Sequence, residues 1–217
     1  MQNASQIPFL VDQGLMCFLP DEQFPVLYRG QKYGTTSDGE PWGPINFSRN
    51  IETNRWTPLS SEVGVAFFGI NQATCFLEAF PLFRERDLSN IPYNFPIGIS
   101  KLEKWELITF RPKAKLKVLS LTDDFAYSRH RVKASIVTTT ELTQSGEFSD
   151  SLLKHTDCDG ILYRTRQGAN LALVVFEHAK DKFNNIVILE RKSFYEYAQE
   201  VGDLERQLAV KFIDDRI

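Results

Sequence analysis

The sequence predicts an α+β fold, and three observations carry that expectation. Between residues 54 and 80 the apolar pattern changes period: 63–68 reads as a buried strand, Gly69 breaks it, and Ala73, Phe76, Leu77 and Phe80 then recur at helical spacing. Strand-like runs return along the chain with few helical segments between them, the strongest over 104–110, 115–121 and 171–177. No repeat, low-complexity tract or clean linker divides the 217 residues, so one domain is expected, a lead-in over 1–25 packed on a body spanning 26–217.

The elements follow in order. Residues 24–29 read as a strand that delivers Tyr28 and Arg29 to its end, where Gly30 stops it. Residues 31–54 are rich in Gly, Asp, Ser, Asn and Pro and read as a long polar loop; a loop of that length is functional or mobile in a compact domain, and it carries Trp42, Phe47 and Arg49 over a site. Asn71 is placed to cap the helix that follows. Pro81, Pro92 and Pro96 make 82–100 irregular. Two strands over 104–110 and 115–121 flank Pro112, and a loop or short helix follows over 123–131. Residues 138–143 fit a strand or a helix entry equally. A short amphipathic helix over 148–155 runs into a turn at 157–160, then a strand over 161–163, a basic loop over 164–170 and the apolar strand 171–177. A further strand is expected over 186–189 and a closing helix over 192–212, with Gly202 its weak point.

Composition narrows the function classes. A net charge of −3 argues against bulk positive charge as a means of holding nucleic acid or anionic membrane, so an anionic ligand must be met by a local arginine cluster. Seventeen phenylalanines imply a bulky aromatic core. Cys17, Cys75 and Cys158 are odd in number, far apart and without CxxC pairing; they read as reduced thiols of a cytoplasmic protein. The acids flanking Cys158 raise a thiol pKa and make it a poor nucleophile. No basic, then apolar N-terminal run suggests a signal peptide, and no apolar run approaches the ~20 residues of a membrane helix. His130, His155 and His178 fall in no metal-binding spacing. The nucleophile elbow, the Walker loop and the dinucleotide-binding glycine pattern are absent.

An arginine, tyrosine and glutamate set remains. Tyr28 and Arg29 end one strand, Arg55 precedes another, and Tyr163, Arg164, Thr165 and Arg166 end a late one. Glu78 stands on the central helix between Leu77 and Ala79. It either lies on the wet face or projects into a cleft to meet Arg55 or Arg29, because a lone carboxylate among apolar residues is costly unless paired or exposed. Each arginine taken singly reads as a surface ion pair; converging guanidinium groups suit a diphosphate. A carboxylate beside an N-glycosidic bond can stabilise an oxocarbenium-like sugar. Pattern alone reaches a binder of a phosphorylated nucleotide.

These residues resemble a known family, the RES-domain proteins, toxins of Xre–RES toxin–antitoxin pairs named for an arginine, a glutamate and a serine. The likeness covers about 27–176 in three ordered blocks: Leu27-Tyr28-Arg29; Arg55-Trp56-Thr57-Pro58 with VAFFG and the helix to Glu78; and Asp159-Gly160-Ile161-Leu162-Tyr163-Arg164-Thr165-Arg166 with LALVVF. The resemblance implies an ADP-ribosyltransferase-like split β-core with flanking helices and a cleft for NAD. It implies NAD destruction by hydrolysis or phosphorolysis of the nicotinamide–ribose bond, or ADP-ribosyl transfer. Arg29, Glu78 and Thr165 are then the catalytic positions, and Tyr28, Arg55, Phe67 and Arg166 the binding ones. NAD is substrate; no prosthetic group or metal is expected. An Xre-type antitoxin is the expected protein partner, a homodimer is allowed, and neither nucleic acid nor membrane is expected. Phe67 stands where the family has tyrosine and Thr165 where it has serine, so this is a divergent branch. The alternative is a non-catalytic nucleotide-binding or interaction module with a degenerate cleft.

Overall fold

The computed structural model describes residues 15–35, 39, 42–43, 45–52, 54–60, 62–79, 95–122, 136, 142–165, 170–184, 186–208 and 210–216. Its frame is an eight-stranded mixed sheet in the order β1 (Met16–Leu19), β6 (Leu116–Leu121), β7 (Gly160–Arg164), β8 (Leu171–Phe176), β3 (Val65–Gly69), β2 (Leu27–Lys32), β5 (Trp105–Arg111) and β9 (Val187–Ser193). Neighbours run antiparallel except β6 and β7, which are parallel. A second, two-stranded sheet pairs β4 (Phe95–Gly98) with β10 (Val210–Ile213) in parallel.

The central strands are those with near-continuous apolar runs. In β8, LALVVF, every residue after the first is buried, and β3 is VAFFG. Strands covered on both faces read this way because neither face can show polar groups to water. One cover is built on Trp56, whose ring is fully buried and tilts against Tyr163 at 5.2 Å and against Phe148 at 6.2 Å. Helix α3 (Leu142–His155) supplies Phe148 and approaches closely through small residues, Ser145, Gly146 and Ser149. The opposite face packs Phe68, Phe110 and Phe183, with Phe183 coming from a 3-10 helix, Glu177–Phe183. A third cluster lies under α1 (Gln72–Ala79) and α4 (Phe194–Val201), where Phe76 meets Phe194 edge to face at 5.1 Å. Phenylalanine thus anchors each layer.

Several expectations change. Gly30 does not end β2; it pairs with Leu107 and the strand runs on to Lys32, because ladder partners on β5 supply what glycine lacks in propensity. Met16–Leu19, part of the expected lead-in, is a strand of the main sheet beside β6. Within the stretch read as irregular, Phe95–Gly98 is β4 and Ile99–Glu103 is helix α2. The closing helix is broken: α4 starts at a capping box on Ser193 and Glu196, ends at Gly202 with φ 68°, and gives way to α5 (Leu204–Leu208) and then β10. Expectations for 80–94, 123–135 and 137–141 lie outside the described residues.

Candidate functional site

The sheet opens between β2 and β3. These strands share one register pair, Tyr28 with Gly69, whereas β3 pairs with β8 at each position from Val65 to Gly69. Toward Val65, backbone groups of β3 on the β2 side find other partners. Val65 exchanges two hydrogen bonds of 2.9 Å with Ser48, so the polar loop lies where β2 would otherwise run. The Phe67 carbonyl accepts from Arg29 Nη1 at 2.8 Å, a side-chain donor standing in for a backbone one.

A cavity of about 260 Å³ occupies this opening. It is lined by Arg29, Gly30, Gln31 and Lys32 of β2 with Val65, Phe67, Phe68 and Gly69 of β3. Helix α1 contributes Cys75 and Glu78, and the loop contributes Trp42, Asn46, Ser48 and Asn54. Trp105 of β5 and Ala172 of β8 complete the lining. Asn71 sets the start of α1 as expected: its side-chain oxygen accepts from the Thr74 amide at 2.8 Å. Glu78, one turn past Thr74 and Cys75, is therefore held half-buried at the cavity and not on a fully wet face.

Arg29 sets the electrostatics. Its guanidinium donates to Phe67 O and, at 3.2 Å, to Asn46 O, and lies 5.6 Å from the Phe68 ring centroid. Its Nε is buried without a hydrogen-bond partner. Burial pushes its pKa down to about 10, which still leaves a full cation at neutral pH. A half-buried cation that lines an open cavity favours an anionic ligand. Cys75 stays a neutral thiol, pushed up to about 12 chiefly by burial. Cys158 is likewise raised, to about 11; burial comes first there and the flanking acids contribute least. All three cysteines are free thiols. Among the described residues no cluster of His, Cys, Asp or Glu could hold a metal, and no helix is long and apolar enough to cross a membrane.

Three of the sequence-predicted positions, Arg29, Phe67 and Glu78, come together in the cavity. Tyr28 alternates to the other face of β2 and packs on the Phe76 cluster. Arg55 is half-buried in the turn before Trp56, where its carbonyl accepts from Ser145 Oγ, and it does not line the cavity. Thr165 donates its amide to Asn170 O at 2.8 Å; its hydroxyl is buried, unpartnered and outside the lining. Arg166 lies outside the described residues. Sequence reasoning passed over Lys32 and Trp105, whose cation–ring contact at 5.9 Å flanks the cavity, and the buried Glu106. Glu106 accepts from Arg191 at 2.8 and 3.0 Å and from Gln31 at 2.9 Å. Only the alternation in β5 could have pointed to Glu106, since its partners lie 75 and 85 positions away.

No protein-family model matches the chain, and no curated protein sequence matches it. Among solved structures, the fold is similar to a chain of the crystal structure of the M. tuberculosis MbcT–MbcA toxin–antitoxin complex, with a TM-score of 0.61 over 91% of this chain and 95% of that one. The identity is 14%, so the likeness is one of fold. The chain thus shares its mixed α+β architecture, a large central sheet with flanking helices, with a component of a toxin–antitoxin complex.

Proposed function

We propose that this chain is a toxin-like enzyme of the RES type that consumes NAD by cleaving its nicotinamide–ribose bond, with the split between β2 and β3 as its active site and an ADP-ribosyltransferase-like core around it. The observation that carries this is the convergence of Arg29, Phe67 and Glu78, a half-buried cation, an aromatic ring and a carboxylate from three elements, on one cavity. The cavity is smaller than a typical ligand pocket of ~300–1,000 Å³, which suits one end of a dinucleotide. The three family blocks and the toxin-complex fold neighbour support the same reading.

In this reading the nicotinamide–ribose end enters beside Phe67, whose ring lies against the leaving base. Arg29 draws the ribose or diphosphate oxygens inward, exchanging the long, exposed bond from Nη2 to Asn46 O for one to the ligand. The C1–N bond breaks, nicotinamide departs with the bonding electron pair, and Glu78 stabilises the positive charge left on the ribose. Water or phosphate then adds at C1; with water, the proton it loses passes to solvent. A macromolecular nucleophile in the same place gives ADP-ribosyl transfer. The setting is the cytoplasm, and a cognate Xre-type antitoxin is the protein partner that restrains the enzyme.

A second reading, a nucleotide-binding module without turnover, is favoured by one observation: Thr165, in the position of the family serine, keeps its hydroxyl out of the cavity. One assay separates the two. Purified protein is incubated with NAD, with and without phosphate, and nicotinamide is followed by chromatography. The enzyme reading predicts release by wild type and a fall of about a thousandfold in Glu78→Ala. Equal, background-level release by both proteins rejects it; calorimetric binding of ADP-ribose without turnover then supports the module.

A further inference from the structure

Trp42 is the one indole of the loop, and it is held unusually well for a residue 38% exposed. Its amide donates to Gly34 O at 2.9 Å. Its carbonyl accepts from Arg191 Nη2 at 3.1 Å, and the next carbonyl, that of Gly43, accepts from Gln31 Nε2 at 3.3 Å. Arg191 and Gln31 are in turn bound to Glu106, which is only 4% exposed. A carboxylate buried that deeply is costly unless paired, so these donors are fixed in place and the loop backbone is fixed with them. The indole itself rests on Gly34: a Cβ added there would stand 3.0 Å from Cδ2 and Cε2 and 3.1 Å from Cε3, so the ring lies flat against bare backbone. The residue also lines the cavity.

We infer that Trp42 is a stacking platform for the planar heterocyclic base of a nucleotide at the cavity mouth, and that Glu106, Arg191 and Gln31 are positioning residues that hold it there. One indole face is spent on Gly34 and the other is offered to ligand. A pre-fixed ring stacks without the entropy cost of ordering a free loop, and base–aromatic stacking tolerates different bases because each has a π-face. The inference deepens the reading of the cavity as a nucleotide site and rests on it, while depending on no bond being cleaved.

The test uses the full chain with adenosine monophosphate and nicotinamide mononucleotide, each carrying one planar base, and reads affinity by calorimetry. Wild type binds at least one of them and its tryptophan fluorescence is quenched. Trp42→Leu lowers that affinity about tenfold and Trp42→Tyr stays within about threefold of wild type. Arg191→Met and Gln31→Leu each weaken binding about threefold in wild type but leave Trp42→Leu unchanged, a non-additivity that a merely structural role does not produce. Gln31→Leu strands no buried charge, so it reports even if Arg191→Met fails to fold. Failure of wild type to bind either mononucleotide, wild-type affinity in Trp42→Leu, or equal losses in Trp42→Leu and Trp42→Tyr overturns the inference. Nicotinamide release from NAD with undiminished Trp42→Leu affinity removes the platform and spares the enzyme reading. Trp42-dependent mononucleotide binding without release does the reverse.

Discussion

Strand β3 treats its two neighbours differently. Toward β8 it is paired at every position, and most side chains along that seam, Val65, Ala66 and Phe68 on β3 and those from Ala172 to Phe176 on β8, are buried. Toward β2 it is paired once, and the seam holds two cations, a carboxylate, two tryptophans and open space. The same five residues, VAFFG, serve both sides, so their apolar character does not decide where the sheet closes. What decides it is what each neighbour offers. β8 supplies a continuous backbone ladder; on the other side Ser48 gives β3 one pair of bonds and Arg29 a single bond, which leaves room between them. The cavity is thus made by ladder bonds withheld, at no cost in orphaned carbonyls.

The sharpest way to break this contrast is to damage the closed side. Trp56→Ala removes a fully buried ring packed on Tyr163 and Phe148 and should cost ~3–5 kcal/mol in urea unfolding. A loss under ~1 kcal/mol would mean that this side is no more rigid than the open one.

On the open side, Arg29→Met should behave oppositely. Loss of the bond to Phe67 O is offset by removal of a buried charge, so stability should move by less than ~1 kcal/mol, while ADP-ribose affinity falls at least about tenfold. Calorimetry and a urea titration of the same sample check both halves. A destabilisation matching that of Trp56→Ala would make Arg29 a structural member and not a ligand.

The smallest effect concerns the anchor of β3's entry. Glu177 accepts from Arg49 at 3.0 Å and from the Gly64 amide at 2.8 Å, and its pKa lies below the ordinary glutamate value, first because of the hydrogen bond from Arg49. A carboxylate lowered in the folded state stabilises fully above its unfolded pKa, and that contribution is lost as pH falls through the folded one. Glu177→Gln should therefore lower Tm by about 2 °C or less at neutral pH, with the difference from wild type vanishing under acid. A difference that grows on acidification would reverse the assigned sign.

Much of the frame was legible because apolar period survives in single strands: β3, β5, β6 and β8 fall within a residue or two of their expected bounds. The misses share a cause. Gly30 and the second half of β9, residues 190–193, become strand through partners on β5 that no local pattern reveals, and the C-terminal segment leaves its helix at Gly202 to pair with β4. At the site, Arg29 and Glu78 could be picked out because charge in an apolar context is costly and visible in one dimension. Trp42's tether could not, since Gln31, Glu106 and Arg191 come from three strands and meet only when β2, β5 and β9 align. Arg55 and Thr165 carried a familial pattern, yet neither is among the residues that line the opening.

Hydrogen exchange measured with and without ADP-ribose tests most directly whether the opening in the sheet is the ligand site. Binding there should slow exchange in β2, in β3 and at the start of α1, with the β6–β7 seam unchanged. Protection confined to the β1–β6–β7 side, or none at saturating ADP-ribose, would contradict it.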